Sequence, residues 1–221
     1  TGELMTSATI TDRLVALSRA LIGRIRGGLA QVNVLVSMFF AGMNGSVVAD
    51  TATVGALVLP AMKKAGYPAA FSAAVTGVSS TIGGIIPPSI MMIVLANATE
   101  ISIASLFAAG IVPGILIGVV IMVINHYFAV KYNFERSDEP FSVRRAGKEL
   151  YRSSFALLIP LVLVGSVMGG VASVVEAGAI TALVALFTGV FVYRTIKWKD
   201  CTGAFRRAFR NSAMVFIIIA A

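Results

Sequence analysis

Apolar residues fill this chain in long unbroken blocks, with polar residues confined to short seams between them. Blocks of this kind are membrane-spanning helices, since about 20 consecutive apolar residues cross a hydrocarbon core of about 30 Å. Two blocks carry interruptions that a simple span would not. One is "AGMNGSVVAD", residues 41–50, and the other is "STIGGIIPPSIMM", residues 79–91. The second places Pro87 and Pro88 beside Gly83, Gly84 and a run of hydroxyls, and a helix interior cannot hold that pair unbroken.

Charge fixes how the blocks cross. The 18 Lys and Arg fall in four clusters, Arg13 to Arg26, Lys63 with Lys64, Lys131 to Arg152, and Arg194 to Arg210. The stretches between hold no base, which is the pattern of cytoplasmic loops. An even number of crossings then separates each neighbouring pair. Residues 63–130 hold two spans, one of them broken, turning near "NATEIS" at 97–102, where the broken span runs from about Pro68 to Ala98. A basic cytoplasmic loop covers 131–152. Two further spans cover 153–196, turning near "MGGVAS" at 168–173, with Glu176 capping the last of them. Residues 1–27 form a cytoplasmic-side lead-in and 197–221 a basic linker. Tyr127, Tyr132, Tyr151, Tyr193 and Trp198 fall at the cytoplasmic margins, where interfacial aromatics belong.

Residues 28–62 are too long for one span and short for two. A re-entrant hairpin satisfies both length and charge parity: two arms of about 15 residues, or roughly 22 Å of helix, entering and leaving on the cytoplasmic side. The competing arrangement is one long tilted helix with tolerated glycines. In the hairpin, Gly42 and Gly45 permit the turn and Asn44 or Ser46 caps the returning arm.

Irregular backbone at membrane depth survives only where protein or a water-filled cavity surrounds it. Broken helices of this kind build the sites of secondary transporters. Their N-terminal ends suit an anion, and unwound carbonyls and hydroxyls suit a hard cation. Pro87 and Pro88 are placed to open the second half-helix. Ser79, Ser80 and Thr81 either donate oxygens to a cation or bond back to their own helix. Asp50, the one acid within the hairpin, either holds the cation or braces the turn.

Composition agrees with a membrane protein. Hydrophobic residues make up 57% and charged residues 13%, and the mean hydropathy is +0.91; soluble domains carry about 25% charged residues. The net charge of +8 sits in cytoplasmic seams, not on one face of a soluble fold, so nucleic acid is not expected as a partner. No P-loop is present, and the single Cys201 and single His126 leave no zinc site and no cysteine pair. Only Asp50 is placed within a span for acid chemistry, and no histidine lies inside one to activate a serine. An intramembrane protease is therefore disfavoured, and no enzyme activity is expected. A non-transporting scaffold would explain the spans but not two breaks with an acid beside them.

The segment "FFAGMNGSVVADTATVGALVLPAMKKAGYPAAFSAAVTGVSSTIGGIIPPSIMMIVLA" resembles the large permease subunit of tripartite ATP-independent periplasmic (TRAP) transporters of the dicarboxylate type. "GELM", "RGGLAQVNVLVSMFFAG" and "VVEAGAITALVALFTGV" are similar to that family as well, so the resemblance covers essentially the whole chain. It implies an all-α polytopic protein of the bacterial or archaeal inner membrane, built from two inverted repeats, each with a re-entrant hairpin and a broken helix, and it implies that 197–221 opens the second, truncated repeat. It implies Na⁺-coupled import of a small organic anion, such as a dicarboxylate or sugar acid, by an elevator-like movement. A binding protein outside the membrane delivers the substrate, and a small membrane subunit braces the large one; no cofactor beyond Na⁺ is implied. The alternative is a related symporter without a binding protein. Carried over by position, the site residues are Asn44, Gly45, Ser46 and Asp50 at the hairpin tip and Ser79, Ser80, Thr81, Gly83, Pro87, Pro88 and Ser89 at the break. The Na⁺ candidates are Asn44, Ser46, Asp50, Ser80 and Thr81. The family often has Ser in place of Asn44 and Pro in place of Gly84. Its members are also roughly twice as long, so this chain is expected to be a fragment holding half of a site, without a cationic residue to clamp the substrate.

Overall fold

The computed structural model describes residues 10–22, 25–134, 142–193, 202–206, 208–210 and 213. The "GELM" segment, Cys201, Trp198, and most of the last basic cluster and linker lie outside the described residues. Among those described there is no strand; every element is helical, as the sequence pattern predicts. The elements are α1 (Ile10–Ile22), α2 (Gly28–Asn44), α3 (Val47–Lys64), α4 (Ala69–Ser80), a 3₁₀ turn (Thr81–Gly84), α5 (Ile90–Thr99), α6 (Ile103–Lys131), α7 (Val143–Met168) and α8 (Val174–Phe187), which runs on as a π turn (Thr188–Val192). Among the described residues, three stretches are long and apolar enough to cross a membrane: Ile103–Lys131, Val143–Met168 and Val174–Val192.

α2 is the centre of the bundle, packed on α1, α3, α4, α6 and α7. Its buried face is mostly apolar, with Ala30, Val32, Val34, Val36 and Phe40 fully buried. α2 and α3 lie antiparallel, since Asn33 near the start of one reaches Met62 near the end of the other. The reversal takes two residues. Gly45 adopts the left-handed conformation (φ 60°) and its N–H returns to the Ala41 carbonyl, a helix-ending bond that glycine makes without steric cost. Ser46 is extended, and its hydroxyl accepts from the Ala49 N–H at 3.4 Å to start α3. Asn44 is the last residue of α2 and caps nothing at the turn.

α4, the 3₁₀ turn and α5 form the interrupted helix. Pro87 and Pro88 do not open its second half, contrary to the sequence expectation. Ser89 is the N-cap, its hydroxyl accepting from the Met92 N–H at 3.4 Å, and α5 begins at Ile90. The physical reason is that a proline biases the residue before it away from helical geometry, and serine caps a helix better than proline does. The basic seam is also shorter than the expected 131–152. Ser142 caps α7 at Val143, so Arg144, Arg145, Lys148 and Arg152 stand on helix, with Glu149 and Arg152 paired at 3.5 Å. Good helix formers follow a capping serine there, and propensity carries the helix beyond the apolar segment.

Both ends of the bundle are tied by side chains. At one end Arg13 lies over the Tyr193 ring at 4.0 Å. Arg13 and Tyr193 both donate to the Arg152 carbonyl, at 3.2 and 3.1 Å. Tyr67 and Phe71, just past Lys63 and Lys64, pack tilted against Phe134, with ring centroids 4.7 and 5.1 Å away. At the other end, Phe107, Val167 and Ala177 are buried together where α5 meets α6 and α7 meets α8. There Ser173 and Glu176 cap each other reciprocally, the role the sequence assigns to Glu176.

α6 has the inside-out pattern of a membrane helix. Its buried positions are Phe107, Gly110, Gly114, Gly118, Ile121, Asn125 and Ala129, whereas Val112, Leu116, Val119, Val123 and Ile124 face outward. The three glycines bring the interrupted helix and α2 close. A Cβ on Gly110 would sit 2.5 Å from the Ile85 carbonyl oxygen, one on Gly114 would strike Ile86, and one on Gly118 would sit 2.5 Å from the Met38 sulfur. Gln31 adds a bond from its amide to the Met122 carbonyl at 2.8 Å.

Replacing Gly110 with valine is therefore expected to cost about 1–3 kcal/mol, because the carbonyl it meets cannot move aside as a side-chain tip can. A lowered melting temperature of the intact permease would register it. Gly178→Ala, where a Cβ meets nothing within 4 Å, is expected to leave that temperature within a degree or two or to raise it slightly.

Candidate functional site

The two sequence interruptions meet. The hairpin turn at Gly45 and Ser46 seats on the segment between α4 and α5. The Ile90 N–H donates to the Gly45 carbonyl at 3.2 Å, so the first donor of one half-helix is satisfied by the turn of another. The fit is close enough that a Cβ on Gly45 would collide with the Pro88 carbonyl. Gly83 faces the Ser46 backbone, and a Cβ there would lie 3.7 Å from it; the corresponding atom on Gly84 would lie 3.3 Å from Val47. Ser89 ties the loop to itself by donating to the Gly84 carbonyl at 2.8 Å. Gly42 stands against Pro160 of α7, and a Cβ there would approach it to 3.3 Å.

The N-terminal ends of α3 and α5 are thus neighbours, and the C-terminal end of α4 lies beside them. N-terminal ends present positive partial charge, and the C-terminal end presents carbonyl oxygens. Val48 in the first turn of α3 is 80% exposed and Met91 in the first turn of α5 is 69% exposed.

Asp50 sits one turn into α3 and is 1% exposed. Neither of its carboxylate oxygens has a hydrogen-bond partner of ordinary geometry. The hydroxyls of Ser80 and Ser37 are its polar neighbours. The Ser80 hydroxyl donates to the Thr76 carbonyl at 2.8 Å, and Ser37 donates to Ser79 at 3.3 Å. Ser79 in turn donates to Asn33 and to the Thr76 carbonyl, at 3.3 and 3.1 Å. Thr81 is exposed and donates to the Val78 carbonyl at 2.7 Å, outside this buried group. Asn44 is half-buried at the tip.

Of the sequence-derived residues, the structure gathers Gly45, Ser46, Gly83, Pro87, Pro88 and Ser89 at the junction, and Asp50 with Ser80 in the layer beneath. Ser79 stands one hydrogen bond further in. All three hydroxyls, Ser79, Ser80 and Thr81, bond back to their own helix. What sequence reasoning missed is the contribution of α2: Asn33 and Ser37 are fully buried and belong to the same polar group. Their signal was present as two polar residues four apart within "VNVLVS", which puts them on one helix face. A carboxylate with only hydroxyl oxygens beside it, and no arginine or lysine, can be neutralised by a hard cation or a proton.

The family model described as "Tripartite ATP-independent periplasmic transporter, DctM component" matches residues 1–221. The chain is 35% identical over 219 residues to the C4-dicarboxylate TRAP transporter large permease protein DctM of Pseudomonas aeruginosa, covering 99% of this chain and 51% of that one. It is 32% identical over 219 residues to the sialic acid TRAP transporter large permease protein SiaM of Vibrio cholerae, with the same coverage. It is 34% identical over 220 residues to the sialic acid TRAP transporter permease protein SiaT of Haemophilus influenzae, covering 99% of this chain and 35% of that longer one. The chain spans about half the length, or less, of these relatives. With a helical fold of membrane-spanning length and a match along its whole extent, the chain belongs to the DctM-component family of TRAP transporters and is part of a multi-pass membrane permease.

Proposed function

We propose that this chain supplies one half of the transport site of a Na⁺-coupled carrier for small organic anions, placed in the bacterial or archaeal inner membrane. The observation that carries the proposal is Asp50: a buried carboxylate with only the Ser80 and Ser37 hydroxyls as donors facing it, one turn along α3 from the contact between two helix breaks. An uncompensated carboxylate inside a membrane protein costs several kcal/mol, and a cation removes most of that cost. Asp50, Ser80 and the hydroxyls next to them supply hard oxygens at that point. The neighbouring N-terminal ends of α3 and α5 supply the positive end for a carboxylate substrate. Cation and anion then bind in adjacent layers, and each favours the other.

The hairpin reading of α2 and α3 has geometric support. Its two arms run antiparallel, and its base has Gly27 against Ala129, two residues before Lys131. Substrates are proposed from the relatives' chemistry as C4-dicarboxylates or sugar acids. Delivery by an extracytoplasmic binding protein and bracing by a small membrane subunit are proposed on family membership.

Removal of the Asp50 charge tests the cation half. Asp50→Asn is expected to raise the Na⁺ concentration for half-maximal uptake by about tenfold, equal to 1.4 kcal/mol. Uptake that keeps its Na⁺ dependence, with melting unchanged, would take Asp50 out of the site. For the junction, Ser46→Cys in a background without other cysteines is expected to react with a membrane-impermeant maleimide. Bound substrate should slow that reaction, and a residue that never reacts would not line a cavity. Proteoliposomes holding the intact permease, its small subunit and its binding protein should accumulate a labelled organic acid only under an inward Na⁺ gradient. Uptake without the binding protein would replace the tripartite reading with an ordinary symporter.

A further inference from the structure

We infer that the C-terminal ends of α3 and α6 form a binding site for an anionic phospholipid, its phosphate held by Lys131 with Lys63 and Lys64 and its acyl chain laid along the outward face of α6. This site is separate from the transport site, and neither reading needs the other.

Both helices end in lysine, α3 at Lys63 and Lys64 and α6 at Lys131. The chain then folds back over each end. The Gly66 and Tyr67 N–H groups return to the Lys63 and Met62 carbonyls at 3.2 and 3.1 Å, and the Phe134 N–H returns to the Ala129 carbonyl at 3.0 Å. The returning residues set Tyr67 against Phe134, with ring centroids 4.7 Å apart, so the two basic ends meet across that pair. Phe71 packs on Phe134 and on Phe128, and Phe128 in turn on Tyr127 and Tyr132, with centroids 5.1 to 6.1 Å apart. Lys131 stands at the edge of this group, its ammonium 6.0 Å from the Tyr127 ring centre and 5.8 Å from that of Tyr132. At that range two rings attract the ammonium without using up its N–H donors.

All three lysines are exposed, and among the described residues no carboxylate lies within ion-pair reach of them. Complementing the negative C-terminal ends of α3 and α6 would require the charges alone. It would not require exposed rings and an apolar strip beside them. Tyr127 and Tyr132 are 62% and 58% exposed, as aromatic residues at headgroup level are. Val123 and Val119 continue the line of Tyr127 along α6 at four-residue spacing, with Val130 beside it, and all three are exposed. Cation, rings and aliphatic strip thus follow one another along one side of a helix, in the order of phosphate, glycerol and acyl chain in a phospholipid. A free anion would leave the rings and the strip unused. A zwitterionic headgroup brings its own ammonium, which the lysines repel, so the headgroup that fits carries net negative charge.

The test reads lipid binding at the site through quenching of a tryptophan placed there. Tyr127→Trp keeps a ring beside the ammonium, and it is made in the intact permease with all other tryptophans replaced by phenylalanine. The protein is reconstituted with brominated phosphatidylglycerol or with brominated phosphatidylcholine of the same chains. Phosphatidylglycerol is expected to bind about fivefold more strongly at this position, the preference one membrane-surface lysine supplies. Lys131→Gln should bring the ratio close to one, and Lys131→Arg, which keeps the charge, should preserve it. Replacing Lys63 and Lys64 together with glutamine should lower it. A second reporter, Leu95→Trp on the exposed side of α5, should show no preference. Tyr132→Trp replaces the first reporter if that variant does not fold. A ratio near one in the Tyr127→Trp protein, or a ratio that Lys131→Gln leaves unchanged, would overturn the site. The same preference at both reporters would reduce it to general attraction between a basic protein and anionic lipid. Displacement of phosphatidylglycerol by inorganic phosphate at millimolar concentration would replace the lipid with a free anion.

Discussion

Backbone groups inside a membrane must find partners within the protein, and that requirement organises this structure. A helix that stops in mid-membrane leaves unpaired N–H groups at one end and unpaired carbonyls at the other. This chain has two helix stops within its apolar blocks, and it answers one with the other. The Gly45 carbonyl of the hairpin turn takes the first N–H of α5, while serine hydroxyls from Ser46 and Ser89 take donors further along each new helix. The contact leaves no room for a side chain at Gly45. Each break thus lies against the other, and their contact defines the candidate site.

The same constraint explains the small residues around it. Lipid offers no hydrophobic drive between helices, so close packing must supply the association. α6 presents Gly110, Gly114 and Gly118 to the interrupted helix and to α2, and turns its large residues outward. The hairpin is held from below as well, where Gln31 reaches across to α6 and the aromatic group of Tyr67, Phe71 and Phe134 closes the basic end. A rigid frame of this kind can hold a buried charge such as Asp50 in a fixed place.

Several layers of this organisation are legible in the residue order. The break at 79–91 announces itself through Pro87 and Pro88, and the turn at 41–50 through its glycines and serine. Asp50 stands out because an acid within an apolar block is costly. The position of the second half-helix start is less legible. Pro87, Pro88 and Ser89 all carry start signals, and only backbone geometry selects Ser89 as the cap. The start of α7 likewise follows helix propensity and the Ser142 cap, not the edge of the apolar block.

The sequence by itself determined the class of protein, the number and rough limits of its apolar blocks, the sites of both breaks and the one buried acid. These are local properties, set by composition, by proline and glycine geometry and by charge placement. Tertiary structure alone decided that the two breaks touch, that α2 contributes Asn33 and Ser37, and that Thr81 stands apart from Asp50. Those facts depend on the packing of α2 against α3 and α4 and on the direction in which each hydroxyl donates. A hydroxyl's partner across a helix interface leaves no periodic trace in the chain that carries it.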